Sequence, residues 1–429
     1  MSRPDYDVLI IGGGLVGASL ACALRGLPLR VGVVEARPLE DGAQPSFDAR
    51  SLALAWSSRR IFEALGLWEA VAARGAAPIR RIRVTDRGRF GTTRLEAARH
   101  GVEAFGYVVE SRVLGAVLGP ALAAAANVDH HCPAEVTGVA LEGGLARVAV
   151  ETPGGARELS ARLLVAADGT RSRVRELCGV GTVRLDYRQS AVIANIRTSE
   201  PHGDTAHERF TPCGPLALLP LALAGTGADG RRLDTGCEWS LVWTHPPEEA
   251  TRLAALDEAG FLAALQPVLP KEAGEVLAAG TRHVYPLGMV QARAQVRPRL
   301  AIIGNAAHTL HPVAGQGFNL GLRDVAALAE VLAAAAGTGA DPGAGAVLER
   351  YARWRRRDRL QVSAFTDALV RVFSNDRLPV AAARNAGLLA LDLLPPLKNV
   401  LARHAMGLAG RLPRMVMGLP PAHGPEPCP

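Results

Sequence analysis

Apolar and polar positions follow two periods along this chain, and the switch between them marks its organisation. The run Asp7-Val-Leu-Ile-Ile11 is apolar after its first residue, as in a strand buried on both faces of a parallel sheet, and residues 18–24 continue as a helix with small side chains toward that sheet. Further strands are expected at 31–34, 79–86 and 106–110, with helices at 57–73, striped by Ile61, Leu65 and Leu67, and at 112–126. Residues 134–139 and 146–151, joined through Gly143-Gly144, read as a hairpin. Residues 163–169 read as a buried strand ending on an acid and a glycine.

From about residue 182 the texture changes. Segments 191–197, 207–211, 216–221 and 237–245 alternate as strands, the last with Trp239, Leu241 and Trp243 on one face, which predicts an antiparallel sheet with one apolar face. Residues 223–235 are rich in Gly and Asp and are expected to form an exposed loop. Residues 256–278 read as mostly helical with breaks at Pro267 and Pro270, before strands at 281–286 and 300–303. Residues 347–417 read as largely helical, with an Arg-rich face at 353–359, and the Pro-rich last dozen residues as disordered. The fold class expected is therefore α/β: a Rossmann-like nucleotide domain (1–181, with a return segment at 291–345), an interleaved, mostly antiparallel β-sheet domain (182–290) and a helical C-terminal region (346–429).

Composition narrows the choice. A length of 429 residues, 48% apolar, suits more than one substantial core. No run of about 18 apolar residues occurs, so neither a membrane span nor a cleavable signal is expected, and the location expected is cytoplasmic. The net charge is +7, but Lys271 and Lys398 are the only lysines and the arginines are dispersed, with no basic run interleaved with aromatics. That argues against a nucleic-acid partner. The six cysteines show no Cys-x-x-Cys pair and no metal-like spacing with histidine, so free thiols and no metal are expected. An amphipathic stretch near Lys398, Arg403 and Arg411 is open to two readings, packing on the protein's own domains or peripheral contact with an anionic membrane.

The chemistry lies in the turns. Gly12-Gly-Gly-Leu-Val-Gly17 directly follows the first strand, and Gly12, Gly14 and Gly17 fit the dinucleotide fingerprint of tight turn, room for a pyrophosphate and close helix packing. Glu35 ends the next strand, where an acid accepts ribose hydroxyls. These glycines alone leave FAD and NAD both open. A second glycine-rich turn, Gly304-Asn-Ala-Ala-His-Thr-Leu-His-Pro-Val-Ala-Gly-Gln-Gly-Phe-Asn319, joins strand to helix and reads as a ligand-binding helix N-terminus. His308 and His311 within it are candidates for contact with ligand or for bonds to the loop itself.

Gly12 to Gly17, Ala167-Asp-Gly169, and Gly304-Asn305 with the loop from Pro312 to Gly317 together resemble the FAD-dependent aromatic hydroxylases related to p-hydroxybenzoate hydroxylase. Within that superfamily, Phe47-Asp-Ala-Arg-Ser-Leu-Ala-Leu54, Glu208-Arg-Phe-Thr211, Gly214-Pro-Leu-Ala-Leu-Leu-Pro220, Ser240-Leu-Val-Trp243 and residues 308–324 resemble the ubiquinone-biosynthesis hydroxylases, most of all the 2-octaprenyl-6-methoxyphenol hydroxylases. The resemblance spans roughly residues 5–415. It implies the fold of that superfamily, FAD as cofactor, NAD(P)H as reductant and O2 as co-substrate, with a flavin C4a-hydroperoxide hydroxylating a polyprenyl phenol. It further implies that Gly12, Gly14 and Gly17 hold the pyrophosphate, Glu35 the ribose, Arg50 and Arg112 the phosphates or ribityl region, and Asp168 with Gly169 the junction of FAD and reductant. Asn305 would hydrogen-bond the ribityl chain, Gly315, Gln316, Gly317, Phe318 and Asn319 would line the pyrimidine side of the flavin, and Gly304 and Pro312 would belong to the same cofactor site. Position 305 is often Asp in the superfamily; an amide still makes the hydrogen bond. Trp239, Leu241, Trp243 and Phe210 would line a greasy passage for the substrate, or form ordinary core. The resemblance leaves room for a soluble phenol, for another ring position, for a non-catalytic flavoprotein subunit, and for other quinone-biosynthesis proteins as partners.

Overall fold

The computed structural model describes residues 3–37, 50–222, 235–311, 315–373 and 378–421. Its organising sheet runs Val128–His131, Val31–Val34, Tyr6–Ile11, Gly155–Ala166, Leu300–Ile302, five strands all parallel. Side chains alternate across such a strand, so both faces need cover. Val8, Ile10, Val31, Val33, Leu163 and Val165 pack toward helices Leu15–Leu24, Ser111–Ala123 and Gln316–Gly337. Leu9, Ile11, Leu164 and Ala166 pack on the other face, where Val136, Val148 and Val150 of the hairpin Glu135–Glu142 and Leu145–Thr152 cover them. This double burial is why the central strands read as unbroken apolar runs.

A nine-stranded sheet stands beside it, in the order Thr92–Glu96, Arg81–Asp86, Thr205–Thr211, Gly214–Pro220, Glu238–His245, Thr182–Thr198, His283–Ala292, His308–Thr309, with Val276–Ala279 also pairing Thr182–Thr198. Pairing is antiparallel except between Thr205–Thr211 and Arg81–Asp86, which run parallel. Two strands from the first third of the chain thus complete a sheet whose other members lie a hundred residues on. The long strands Thr182–Thr198 and His283–Ala292 carry the chain out of the parallel sheet and back to it. A small third sheet pairs Gly106–Glu110 with Ser51–Ala55 on one side and Ala77–Ile79 on the other.

One local expectation changes. Residues 256–278 are not one broken helix: a helix at Glu258–Leu265 gives way to 3-10 turns at the two prolines and then to the strand Val276–Ala279. Of the two readings open for Trp239, Leu241 and Trp243, passage or ordinary core, the structure shows the second. They are core, pressed with Phe261 and Leu265 under helices Pro247–Ala255 and Glu258–Leu265, because strand alternation turns them to the helix-covered face. Within the Arg-rich face at 353–359, Arg355 of helix Gly345–Phe373 turns inward and is 2% exposed. The C-terminal region continues as helices Leu378–Leu393 and Pro395–Ala405, the latter starting on prolines, which suit the first helical turn. Of the loop expected at 223–235, residues 223–234 lie outside the described residues, as does the tail from 422.

Candidate functional site

The first turn is built by close approach. Gly12 has φ +103°, and a Cβ there would lie 2.6 Å from the Ala167 carbonyl oxygen; a Cβ on Gly17 would lie 1.8 Å from the Gly12 oxygen. Only glycine permits both contacts. Gly14 occupies the N-cap of helix Leu15–Leu24 and supplies no capping side chain, so the helix mouth faces outward with backbone alone. Glu35 Oε2 accepts the Gly13 N–H at 2.6 Å and its Oε1 accepts the Arg37 N–H at 2.9 Å, which fixes the acid beside the glycine turn.

The other two motifs converge on this turn. The contact between Gly12 and Ala167 sets Asp168 against it, with the Asp168 Cα 2.9 Å from where a Gly12 Cβ would be. Asp168 Oδ2 accepts the Val174 N–H at 3.1 Å, while its Oδ1 is buried without a hydrogen bond among the described residues. Burial raises this carboxyl's pKa, with bonds from Ser172 and Val174 opposing only in part. Gly169 takes φ +81° and opens onto free space. Thr170 and Thr309 hydroxyls meet at 2.9 Å, which brings the Asp-Gly segment beside the second loop. Gly304 packs on Val16 of the dinucleotide helix, and Asn305 is exposed next to it.

The second loop is anchored from behind. His308 Nε2 lies 2.6 Å from Asp324 Oδ2, and Asp324 Oδ1 accepts the Arg355 Nε–H at 2.7 Å. Burial alone would raise the Asp324 carboxyl, but Arg355 and His308 outweigh it and hold it far below the ordinary carboxylate range. Arg355 and Arg323 both also reach Asp358. His311 is buried with its ring edge-on to Tyr187 at 5.3 Å, and burial pushes its pKa down to about 4, so the ring is neutral at neutral pH. Pro312 lies outside the described residues. Gly315 is left-handed, φ +59°, at the N-cap of helix Gln316–Gly337, close to Ala53. Asn319 spends its amide on the protein: Oδ1 accepts from the Ala55 N–H and the Ser58 hydroxyl, and Nδ2 donates to the Ala53 and Gly315 carbonyls. It ties strand Ser51–Ala55 to the helix mouth. Gly317 faces open space, and Phe318 packs against the main core.

Arg50 and Arg112 sit at one end of the pair Ser51–Ala55 and Gly106–Glu110, where the Ser111 N–H donates to the Arg50 carbonyl at 2.8 Å. The Arg50 guanidinium lies over the Tyr285 ring, 5.2 Å from its centroid. Arg112 pairs with buried Glu110 through Nε at 2.8 Å.

Below the second loop opens a cavity of about 240 Å³. Its walls come from the small sheet (Ala53, Leu54), the nine-stranded sheet (Phe210) and the C-terminal helices (Leu388, Leu401), and Gln316 and Asn319 bring the helix mouth to its edge. Neither His308 nor His311 lines it. One acid does: Glu208, which strand alternation places on the same face as Ala206 and Phe210. Its carboxyl makes no hydrogen bond or ion pair among the described residues, and burial pushes its pKa up to about 8. The alternation Ala206, Glu208, Phe210 was the available sequence signal for this residue.

Glycines too crowded for any side chain, an uncapped helix mouth, a strand-end acid and a buried carboxylate oxygen still seeking a partner fit an extended adenine dinucleotide such as FAD. The apolar cavity beside them fits an organic ring.

The family model for the FAD binding domain matches residues 5–366. The chain is 40% identical over 418 residues to ubiquinone hydroxylase UbiL of Rhodospirillum rubrum, covering 96% of this chain and 93% of that protein. It is 33% identical to the 3-demethoxyubiquinol 3-hydroxylase of Escherichia coli, covering 95% and 100% respectively. Among solved structures, p-nitrophenol 4-monooxygenase PnpA from Pseudomonas putida superposes with a TM-score of 0.75 at 21% identity, covering 94% of this chain and 98% of that one, a likeness of fold.

Proposed function

We propose, from the premise that this chain belongs to the FAD-binding-domain family and within it to the ubiquinone-biosynthesis hydroxylases, that this FAD-dependent monooxygenase hydroxylates the ring of a polyprenyl phenol of the 2-polyprenyl-6-methoxyphenol type. The observation that carries the substrate reading is the cavity of about 240 Å³, large enough for a substituted ring and almost wholly apolar. Bound FAD, with NAD(P)H as reductant and O2 as co-substrate, supplies the oxygen-activating chemistry. Gly12, Gly14 and Gly17 would hold its pyrophosphate, Glu35 its ribose, and Asp168, Asn305 and the Gly315 to Asn319 turn its flavin half. Arg50 and Arg112 would serve its phosphates. The protein's own contribution is to fix these groups, as Asn319 does through four hydrogen bonds, and to keep water from the ring site with Phe105, Phe210 and Leu388.

Helices Leu378–Leu393 and Pro395–Ala405 present Leu388 and Leu401 to the cavity and expose Leu393, Leu394, Leu397 and Val400 on their outer side. Among the described residues no helix is long and apolar enough to cross a membrane. The exposed leucines would instead rest in a bilayer surface, from which a long prenyl chain reaches the cavity. Oxidation of NADPH by the FAD-loaded protein, stimulated by a short-chain prenyl methoxyphenol and not by p-hydroxybenzoate, supports the substrate reading. Equal stimulation by p-hydroxybenzoate would replace it with a soluble phenol.

A further inference from the structure

We infer that Glu208 is the polar anchor of the ring cavity, where its carboxyl grips the free hydroxyl of the phenol and so selects phenols over their ethers. The inference rests on the reading that a phenol occupies this cavity. The geometry that carries it is the accounting of polar groups around that space. Thr93 spends its hydroxyl on the Leu388 carbonyl at 2.7 Å. Asn319 has all of its amide engaged. The His207 ring packs against Trp239 with centroids 5.7 Å apart, and His404 Nδ1 lies 3.3 Å from the Val400 carbonyl oxygen. Glu208, half-buried and the one acid among the described lining residues, makes no hydrogen bond or ion pair within the described residues.

A carboxyl turned into an apolar space is costly without a partner, and a leucine at this position would pack better. Stability therefore gives no reason for an acid here; a ligand that completes its hydrogen bonding does. Burial with no counter-charge pushes the group up to about 8, so at neutral pH it is mainly a neutral acid carrying one O–H donor and one carbonyl acceptor. A phenolic hydroxyl matches both, because it donates and accepts. A methyl ether at the same carbon can only accept, which leaves the carbonyl of Glu208 unsatisfied and adds a methyl group where the hydrogen bond would form.

The test is equilibrium binding, independent of turnover. FAD-loaded wild type, Glu208→Gln, Glu208→Ala and Glu208→Leu are titrated with 2-(3-methylbut-2-enyl)-6-methoxyphenol and with its O-methyl ether, by calorimetry or tryptophan fluorescence. Wild type is expected to favour the phenol by about tenfold or more, in line with one net hydrogen bond in a desolvated site. Glu208→Gln, which still donates and accepts, is expected to keep most of that preference. Glu208→Ala and Glu208→Leu are expected to bring the ratio near one while binding the ether at least as well as wild type. Preference retained in both apolar variants overturns the assignment, as does a wild type that binds both compounds equally. A wild type that binds neither overturns the substrate reading, and this inference with it.

Discussion

His308 and Asp324 meet at 2.6 Å inside the protein, with 1% and 0% of their side chains exposed, and the pair joins the start of the second loop to the middle of the helix that follows it. Arg355 closes the arrangement from the C-terminal helix. The loop is therefore held from a buried charge cluster on its far side, and its open side is left to ligand.

Replacing Asp324 by Asn leaves the buried Arg355 and Arg323 with half-buried Asp358 as the acid they still share. Breaking a buried pair in this way costs about 3–5 kcal/mol, so urea unfolding of Asp324→Asn is expected to shift by that amount. The pH dependence follows from the depressed carboxyl. Its stabilisation is complete above the unfolded value near 3.8 and declines as pH falls below that toward the lower folded value. Wild type should lose stability more steeply than the variant below pH 4.

Gly17→Ala places a methyl group 1.8 Å from the Gly12 oxygen and must open the turn, so the purified variant is expected to lack FAD and its yellow colour. Gly119 is the control: it lies inside helix Ser111–Ala123 with open space where a Cβ would go. Gly119→Ala is expected to retain FAD and gain up to about 1 kcal/mol of stability. Absorbance of the flavin and thermal unfolding check both.

Glu208 ionises near 4.5 in an unfolded chain and near about 8 in the folded protein. Between those values the folded state keeps a proton that the unfolded state releases, so wild-type stability falls as pH rises through this window. Glu208→Gln has no such loss. Its stability relative to wild type is expected to grow between pH 4.5 and 8, by a few kcal/mol at most, and to be level outside that range. A gap that does not change with pH would show the carboxyl to be solvated.

Leu393 and Val400 are 68% and 58% exposed, so changing both to Ser should leave thermal stability within about 0.5 kcal/mol. If these helices rest on a bilayer, sedimentation with anionic phospholipid vesicles falls severalfold in the double variant. Unchanged sedimentation removes them from any membrane contact.

Much of the nucleotide half was legible because its constraints are local. Gly12 and Gly17 admit no side chain, and the strand Tyr6–Ile11 is apolar on both faces because both are covered. What the sequence hid depends on distant partners. Nothing within Arg81–Asp86 announces a parallel neighbour at Thr205–Thr211. Trp239 and Trp243 carry the same apolar signal whether they line a passage or lie under helices, and the choice was made by Phe261 and Leu265 packing over them. Arg355 looks like one surface arginine among several until Asp324 draws it inside. Nothing in Glu208-Arg-Phe-Thr211 announces that Leu388, far along the chain, lines an apolar space with the acid and Phe210.

If the proposed function holds, this chain places one oxygen atom on the ring of a prenylated phenol. Wild-type protein with bound FAD, NADPH and a short-chain 2-prenyl-6-methoxyphenol under 18O2 tests it directly, with the product read by mass spectrometry. The expected product is heavier by one 18O atom and forms only when FAD, NADPH and the phenol are all present. NADPH oxidation that yields only hydrogen peroxide, with the phenol recovered unchanged, would contradict it.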